Sequence, residues 1–162
     1  MMTKSKSGLS FLWLSAVAFC LDLLTKYWVT QHFALYESLN ILPFFNLTYA
    51  RNTGAAFSFL ADHDGWQKYF FILLAIVISA ALVFFLKKNN ATQKLQNSAY
   101  ALIIGGALAN MVDRAYNGFV VDFFDFYWQA WHYPVFNVAD VAICIGAGLL
   151  ALDAFKNPEK KK

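Results

Sequence analysis

Asn110-Met111-Val112-Asp113-Arg114, Val120-Val121-Asp122-Phe123 and Phe136-Asn137-Val138-Ala139-Asp140 stand at the start, middle and end of one stretch, residues 110–140. The first group closes an apolar segment and the last opens another. Carboxylates are costly at the edge of hydrocarbon, so a chain that keeps several there usually has chemistry, ion traffic or a buried pair to show for it. The stretch reads as an active site held at a membrane surface.

The surrounding chain agrees with a membrane setting. Its 162 residues amount to one domain, 1–162. The composition is 59% apolar and 14% charged, with a mean hydropathy of +0.45. A soluble surface would need roughly twice that charge. Four apolar stretches are visible: 9–29, interrupted by Asp22 and Lys26; 69–86, without a charge; 99–112, shorter than a full span and flanked by Asn97 and Asn110; and 135–155, which contains Asn137, Asp140 and Asp153. A span takes about 20 predominantly apolar residues. The expectation is a membrane α-helical protein with four transmembrane helices, a small extracytoplasmic β-sheet and an aromatic-rich outer loop.

The net charge of +3 is compatible with nucleic acid, but the positions of the basic residues point elsewhere. With four spans, Lys4, Lys6, Lys87, Lys88, Lys94, Lys156, Lys160, Lys161 and Lys162, nine of the thirteen Lys and Arg residues, fall on one side. That side should be the cytoplasm. Both termini are then cytoplasmic, and the loops 30–68 and 114–135 face outward. The same consistency supports the weak third span. The first stretch has the basic start and apolar middle of a cleaved signal peptide. However, Phe19 rather than a small residue precedes Cys20, and the run continues to Val29, so it reads as a retained span. Cys20 and Cys144 each lie in an apolar run and read as small buried hydrophobes rather than a disulfide framework.

Several local patterns bear on a site. Asp22 and Lys26 stand four apart in the favourable order for a helical ion pair. They form either a polar anchor that orients site residues, or a self-neutralising pair whose lysine snorkels to the interface. Residues 46–51 alternate like a strand with Leu47 and Tyr49 on one face, Asn52-Thr53-Gly54 reads as a turn, and 55–60 is too apolar for a solvated loop. A short sheet on the membrane surface accounts for both apolar pieces. The small residues at 54–56 would let another backbone approach, as an extended peptide does at a strand edge, or they belong to an ordinary hairpin.

Gly105-Gly106-Ala107-Leu108-Ala109 allows close helix packing, and Asn110, Asp113 and Arg114 share one helical face, as do Asn137 and Asp140. The aromatics between Phe119 and Phe136 suit the headgroup level. Among them lie Asp122, Asp125 and His132; the histidine, lacking a second ligand, reads as interfacial.

The chain carries no HExxH pair and no cysteine–histidine cluster, so neither a metal nor another cofactor is expected. Signatures of serine catalysis are also missing from suitable places. Two carboxylates a few Å apart cannot both ionise readily. One keeps its proton, and together they can act as general base and general acid on a water that attacks a peptide carbonyl. Spacing leaves open which two of Asp113, Asp122, Asp125 and Asp140 form such a pair. A transporter would need carboxylates deep in the spans and an internal repeat, neither of which is evident. A non-catalytic scaffold is the remaining alternative.

Five motifs occur in order: Asp22-x-x-x-Lys26; Arg51-Asn52-Thr53-Gly54-Ala55-Ala56-Phe57-Ser58; Gly105-Gly106-Ala107-Leu108-Ala109-Asn110 leading to Asp113-Arg114; Val120-Val121-Asp122-Phe123; and Phe136-Asn137-Val138-Ala139-Asp140. In this order, over nearly the whole chain, they resemble the lipoprotein signal peptidase (signal peptidase II) family, the aspartic membrane peptidases of bacteria. The resemblance implies a catalytic dyad of Asp122 and Asp140. It implies that Asn52, Asn110, Arg114 and Asn137, with Gly54 beside them, line the site and hold the substrate backbone or orient the dyad. Asp22, Lys26 and Asp113 match positions of polar support. Ala109 stands where the family commonly has Gly. The implied reaction is cleavage of a prolipoprotein signal peptide just before a cysteine that carries diacylglycerol. The implied setting is the bacterial cytoplasmic (inner) membrane, multi-pass, with the active site at the outer face. Partners would be prolipoproteins and membrane lipids, not nucleic acid, and the protein is expected to be a monomer.

Overall fold

In the computed structural model, which describes residues 7–54 and 65–157, the chain opens with a 3-10 turn, Gly8–Phe11, that leads into helix α1, Leu12–His32. Strands β1 (Ser38–Leu42) and β2 (Phe45–Asn52) follow, then helices α2 (Trp66–Lys88) and α3 (Lys94–Asn117). Strands β3 (Val120–Trp128) and β4 (Trp131–His132) precede the last helix, α4 (Val138–Lys156). The apolar piece 55–60 and the lysines Lys4, Lys6, Lys160, Lys161 and Lys162 lie outside the described residues.

Three helical segments, Gly8–His32, Trp66–Lys88 and Val138–Lys156, are long and apolar enough to cross a membrane. They carry large side chains outward: Leu24, Leu73, Val77 and Ile145 are all exposed. A helix that is apolar all round suits a lipid surround. Cys20 and Cys144 are exposed on these helices, which corrects their reading as buried. In water, an apolar run implies burial in protein; in a membrane, its outer side chains meet lipid instead.

α3 is the exception. It spans 24 residues, well beyond the predicted 99–112, and at 1.5 Å per residue it is roughly 36 Å long. Its polar residues are not flanks. Asn97, Asn110 and Asp113 are buried inside the bundle, and α3 packs on α1, α2 and α4. Glycine makes two of these contacts possible. A side chain at Gly105 would come within 2.6 Å of the Ser15 carbonyl of α1, and one at Gly106 would collide with the Ala139 carbonyl of α4. Ser15 Oγ donates to Ala101 O at 2.6 Å across the first contact. Ala109 is fully buried.

The Gly8 N–H donates to Asn89 O, so the start of the first helical segment meets the turn between α2 and α3. The helices therefore alternate in direction. The ends of α1 and α3 and the starts of α2 and α4 lie together at the opposite end.

The sheet sits at that end. It is antiparallel throughout, in the order β1-β2-β3-β4. Tyr49 of β2 and Val121 and Phe123 of β3 form a buried cluster with Val29 of α1, and Leu47 packs against it. The expected shared face of Leu47 and Tyr49 is thus the one that seats the sheet on the bundle. β2 is flanked by β1 and β3. The segment read as an aromatic-rich loop is largely the nine-residue strand β3 and its hairpin. Aromatic and β-branched side chains fit a half-buried pleated surface as well as a headgroup layer. Gly118, at φ +84°, ends α3 and turns the chain directly into β3.

Candidate active site

Asp122 lies near the start of β3, opposite Ala50 of β2, and is 2% exposed. Its two carboxylate oxygens accept from two asparagines: Oδ2 from Asn52 Nδ2 at 3.1 Å and Oδ1 from Asn137 Nδ2 at 2.7 Å. Asn52 is held in turn by its own turn. Its Oδ1 accepts from the Gly54 N–H at 3.0 Å, and Gly54 O accepts from Arg114 Nη2 at 2.8 Å. The Arg114 guanidinium also lies over the Phe71 ring at 4.8 Å, which fastens the predicted turn to α2 and α3.

Asp140 is the third residue of α4. The N-cap, Asn137, accepts from the Asp140 N–H at 2.9 Å, while Asp140 Oδ2 accepts from the Asn137 N–H at 3.3 Å. This reciprocal capping box puts Asn137 just before the helix rather than inside a span, and sets the Asp140 carboxylate where the helix dipole favours negative charge. Asp140 Oδ1 accepts from Asn110 Nδ2 at 2.9 Å. Asn137 therefore touches both carboxylates, one through its side-chain amide and the other through its backbone.

Beneath them lies a buried charge cluster. The Lys26 ammonium is 2.6 Å from Asp22 Oδ2 and 3.0 Å from Asp113 Oδ2, and it donates to Asn110 Oδ1 at 2.9 Å. Its three donors meet three acceptors. Lys26 is 2% exposed, so it does not snorkel to the interface. A lysine reaches for the interface only when no acceptors meet it inside, and here three do. Each carboxylate also grips a backbone amide. Asp113 Oδ2 accepts from the Val121 N–H at 3.1 Å, and Asp22 Oδ1 accepts from the Ala139 N–H at 2.7 Å. Val121 directly precedes Asp122 and Ala139 directly precedes Asp140. One ammonium thus ties together the backbone supports of both carboxylates. Such a buried group holds only because every member is paired.

All ten residues singled out in the sequence, Asp22, Lys26, Asn52, Gly54, Asn110, Asp113, Arg114, Asp122, Asn137 and Asp140, belong to this one hydrogen-bonded network. Asp125 does not. An odd separation on a strand turns it to the opposite face from Asp122. There it accepts from Asn46 and Thr48 and lies 2.7 Å from His132 Nδ1, so the histidine read as lone has a partner.

The electrostatics separate the carboxylates further. Burial, and then the nearby charge of Asp140, push Asp122 up to about 7 against the opposing hydrogen bonds of Asn52 and Asn137 and the charge of Lys26. Asp122 and Asp140 line a cavity of about 800 Å³ together with Asn52, Asn110 and Arg114. Other walls are the Ala50–Thr53 stretch, residues 133–136 and the apolar side of α4 around Ile143, Cys144 and Ile145. Sequence reasoning did not find these walls. The one legible signal was the Asn-x-x-Asp spacing of a helix cap at Asn137 and Asp140.

Apolar helices that carry a paired-carboxylate cavity at one end describe an integral membrane enzyme of the aspartic type. The chain belongs to the signal peptidase II family of aspartic peptidases: the family model for signal peptidase (SPase) II matches residues 14–156. A lipoprotein signal peptidase of Actinobacillus succinogenes is 82% identical over 158 residues, covering 98% of this chain and 97% of its own. Another, from Haemophilus influenzae, is 81% identical over 156 residues, covering 96% and 91%. Two solved bacterial membrane enzymes share the fold. One has a TM-score of 0.86 at 32% identity, covering 100% of this chain and 97% of its own; the other has 0.83 at 30%, covering 97% and 99%. As a member of this family the chain is an aspartic peptidase and a membrane protease.

Proposed function

We propose that Asp122 and Asp140 are the catalytic dyad and that they cleave the prolipoprotein just before its diacylglyceryl-modified cysteine. The observation that carries this reading is the bridge through Asn137, which bonds to both carboxylates at the edge of a cavity large enough for an extended peptide. Asp122, pushed up to about 7, is the member that holds the shared proton in the active form, and Asp140 is the base. A water between them loses a proton to Asp140 as its oxygen attacks the scissile carbonyl carbon, while the Asp122 proton passes to the carbonyl oxygen. The tetrahedral diol then returns a hydroxyl proton to Asp122, and Asp140 gives its proton to the amide nitrogen. The C–N bond breaks, one water is consumed and both carboxyls regain their starting states. The products are the carboxyl end of the signal peptide and the free amine of the lipidated cysteine.

The setting follows from the same reasoning. α3 is the fourth span, long enough to cross, its polar residues turned into the bundle. Alternating helix directions and the one-sided lysines support a topology with both termini in the cytoplasm and the cavity at the outer face of the inner membrane. There the lipid of the substrate stays in the bilayer while the scissile bond reaches the dyad. The whole chain acts as one domain and as a monomer, with bilayer lipids around it. The deciding experiment incubates purified protein with lipidated and unlipidated prolipoprotein. Turnover of the lipidated form alone, lost in Asp122→Asn and in Asp140→Asn with the fold retained, supports the reading. Substantial activity in either variant refutes it.

A further inference from the structure

Of the buried charged residues described, Asp125 alone lies outside the network. Asp125 is 3% exposed on the sheet, and no step of the proposed mechanism uses it. Its Oδ2 accepts from Asn46 Nδ2 at 3.2 Å and from Thr48 Oγ1 at 3.0 Å, both on β2. Its Oδ1 faces His132 Nδ1 of β4 at 2.7 Å, and a carboxylate there requires the N–H on that nitrogen. Burial works against ionising Asp125, but the His132, Asn46 and Thr48 donors outweigh it and hold the carboxyl below its ordinary range. One carboxylate thus joins three strands.

What it holds matters to the cavity. β4 is only two residues long, both exposed, and its hairpin turns through Gln129 at φ +53°, a left-handed conformation unfavourable for a residue with a side chain. Such a short strand has little to keep it in place by itself. Directly after His132 come Tyr133, Pro134, Val135 and Phe136, all four of which line the cavity. They are hung on β3 by backbone bonds from Tyr133 N–H to Phe126 O and from Phe136 N–H to Phe124 O. The ring of Phe136 stacks on Phe126 at 5.9 Å, and His132 stacks on Tyr127 at 5.3 Å. The wall lines the same cavity as residues Ala50–Thr53, so its position affects the room available to a bound peptide.

We propose that the Asp125–His132 pair is a latch that positions the cavity wall at residues 133–136 and so governs how tightly the prolipoprotein is held, without taking part in bond cleavage. The proposal rests on the cavity being the peptide site, but not on which carboxylates do the chemistry. Asp125 and His132 are positioning residues, and the effect of losing them falls on KM.

The test compares His132→Ala, His132→Asn and Asp125→Asn with the unaltered full chain in detergent or bilayers, using a lipidated prolipoprotein. His132→Ala and Asp125→Asn should raise KM several-fold with kcat within about twofold. His132→Asn, whose amide N–H can take the place of Nδ1–H, should recover most of that loss. Backbone hydrogen exchange over residues 131–136 should speed up in His132→Ala while exchange in the four helices stays unchanged, a readout that survives loss of activity. An unaltered KM in His132→Ala, a fall confined to kcat, a His132→Asn variant no better than alanine, or unchanged exchange at 131–136 would each overturn the latch. An active Asp122→Asn variant would sink the dyad and leave these results standing.

Discussion

Asp122 and Asp125 lie three residues apart on one strand, and both are almost fully buried. Yet Asp122 is pushed up to about 7 while Asp125 is held below its ordinary range. Burial raises both. Asp122 adds a second carboxylate nearby and has two amide donors; Asp125 has an imidazole that can carry positive charge, an amide and a hydroxyl. Asp122 lies deeper, so burial weighs more on it; depth and donors together decide whether a carboxylate keeps a proton for chemistry or stays ionised as a strut.

The largest expected difference between the two is catalytic. Asp122→Asn should cost on the order of 10³-fold in turnover, within the usual range for loss of a general acid–base group. Asp125→Asn should leave kcat nearly intact. Turnover of lipidated prolipoprotein measures both, and a more damaging change at Asp125 would reverse the assignment.

Next comes the support beneath each carboxylate. Lys26→Met leaves Asp22 and Asp113 buried without their counter-charge and should lower stability by about 3–5 kcal/mol in detergent unfolding. Thr48→Val removes one neutral donor from Asp125 and should cost only about 1 kcal/mol. Equal losses would mean that the lysine cluster is not the keystone of the site.

The pH dependence of stability should have opposite signs at the two positions. The raised Asp122 contributes stability at acid pH that is lost as pH rises from about 4 through about 7. Asp122→Asn should therefore be more stable than the unaltered protein above neutrality, by at most about 4 kcal/mol at 1.36 kcal/mol per pH unit, with the gain vanishing near pH 4. The depressed Asp125 contributes stability above the ordinary carboxylate range that is lost on acidification. Asp125→Asn should be the less stable protein at neutral pH, and its deficit should shrink as pH falls. Unfolding scans across pH would show whether the two curves diverge in these directions.

The smallest effect is a shift in the rate profile. A dyad sharing one proton loses activity as Asp122 ionises, so kcat/KM, which follows the free enzyme, should fall on an alkaline limb near pH 7. Asn52 donates to the ionised form and holds that limb down. Asn52→Ala should move it to higher pH, whereas Asn46→Ala, which removes a donor from Asp125, should leave it in place.

Much of the site was legible because its residues obey short-range rules. Asn110, Asp113 and Arg114, and likewise Asn137 and Asp140, were grouped by helical spacing; that Asn137 caps its helix rather than lying in it emerged only in the structure. Gly105 and Gly106 announced close packing, which Ser15 and Ala139 supply. Other features were hidden for equally physical reasons. The aromatic run of β3 fits a strand and a headgroup belt equally well, so its composition could not separate them. Lys26 could be assigned to the interface or the interior only once three acceptors were known to converge on it. Cys20 and Cys144 were misplaced because an apolar run says that a side chain avoids water, and both lipid and protein satisfy that.

Hydropathy and charge placement, read along the chain, determined that this is a helical membrane protein, and the order of five motifs determined its family. Those signals are local and survive any arrangement of the helices. Tertiary structure decided which carboxylates share a cavity, that Asn137 spans them, and that one lysine supports both. These are contacts between residues up to 117 positions apart, as with Asp22 and Ala139, and chain spacing carries no information about which distant partner will meet a buried charge.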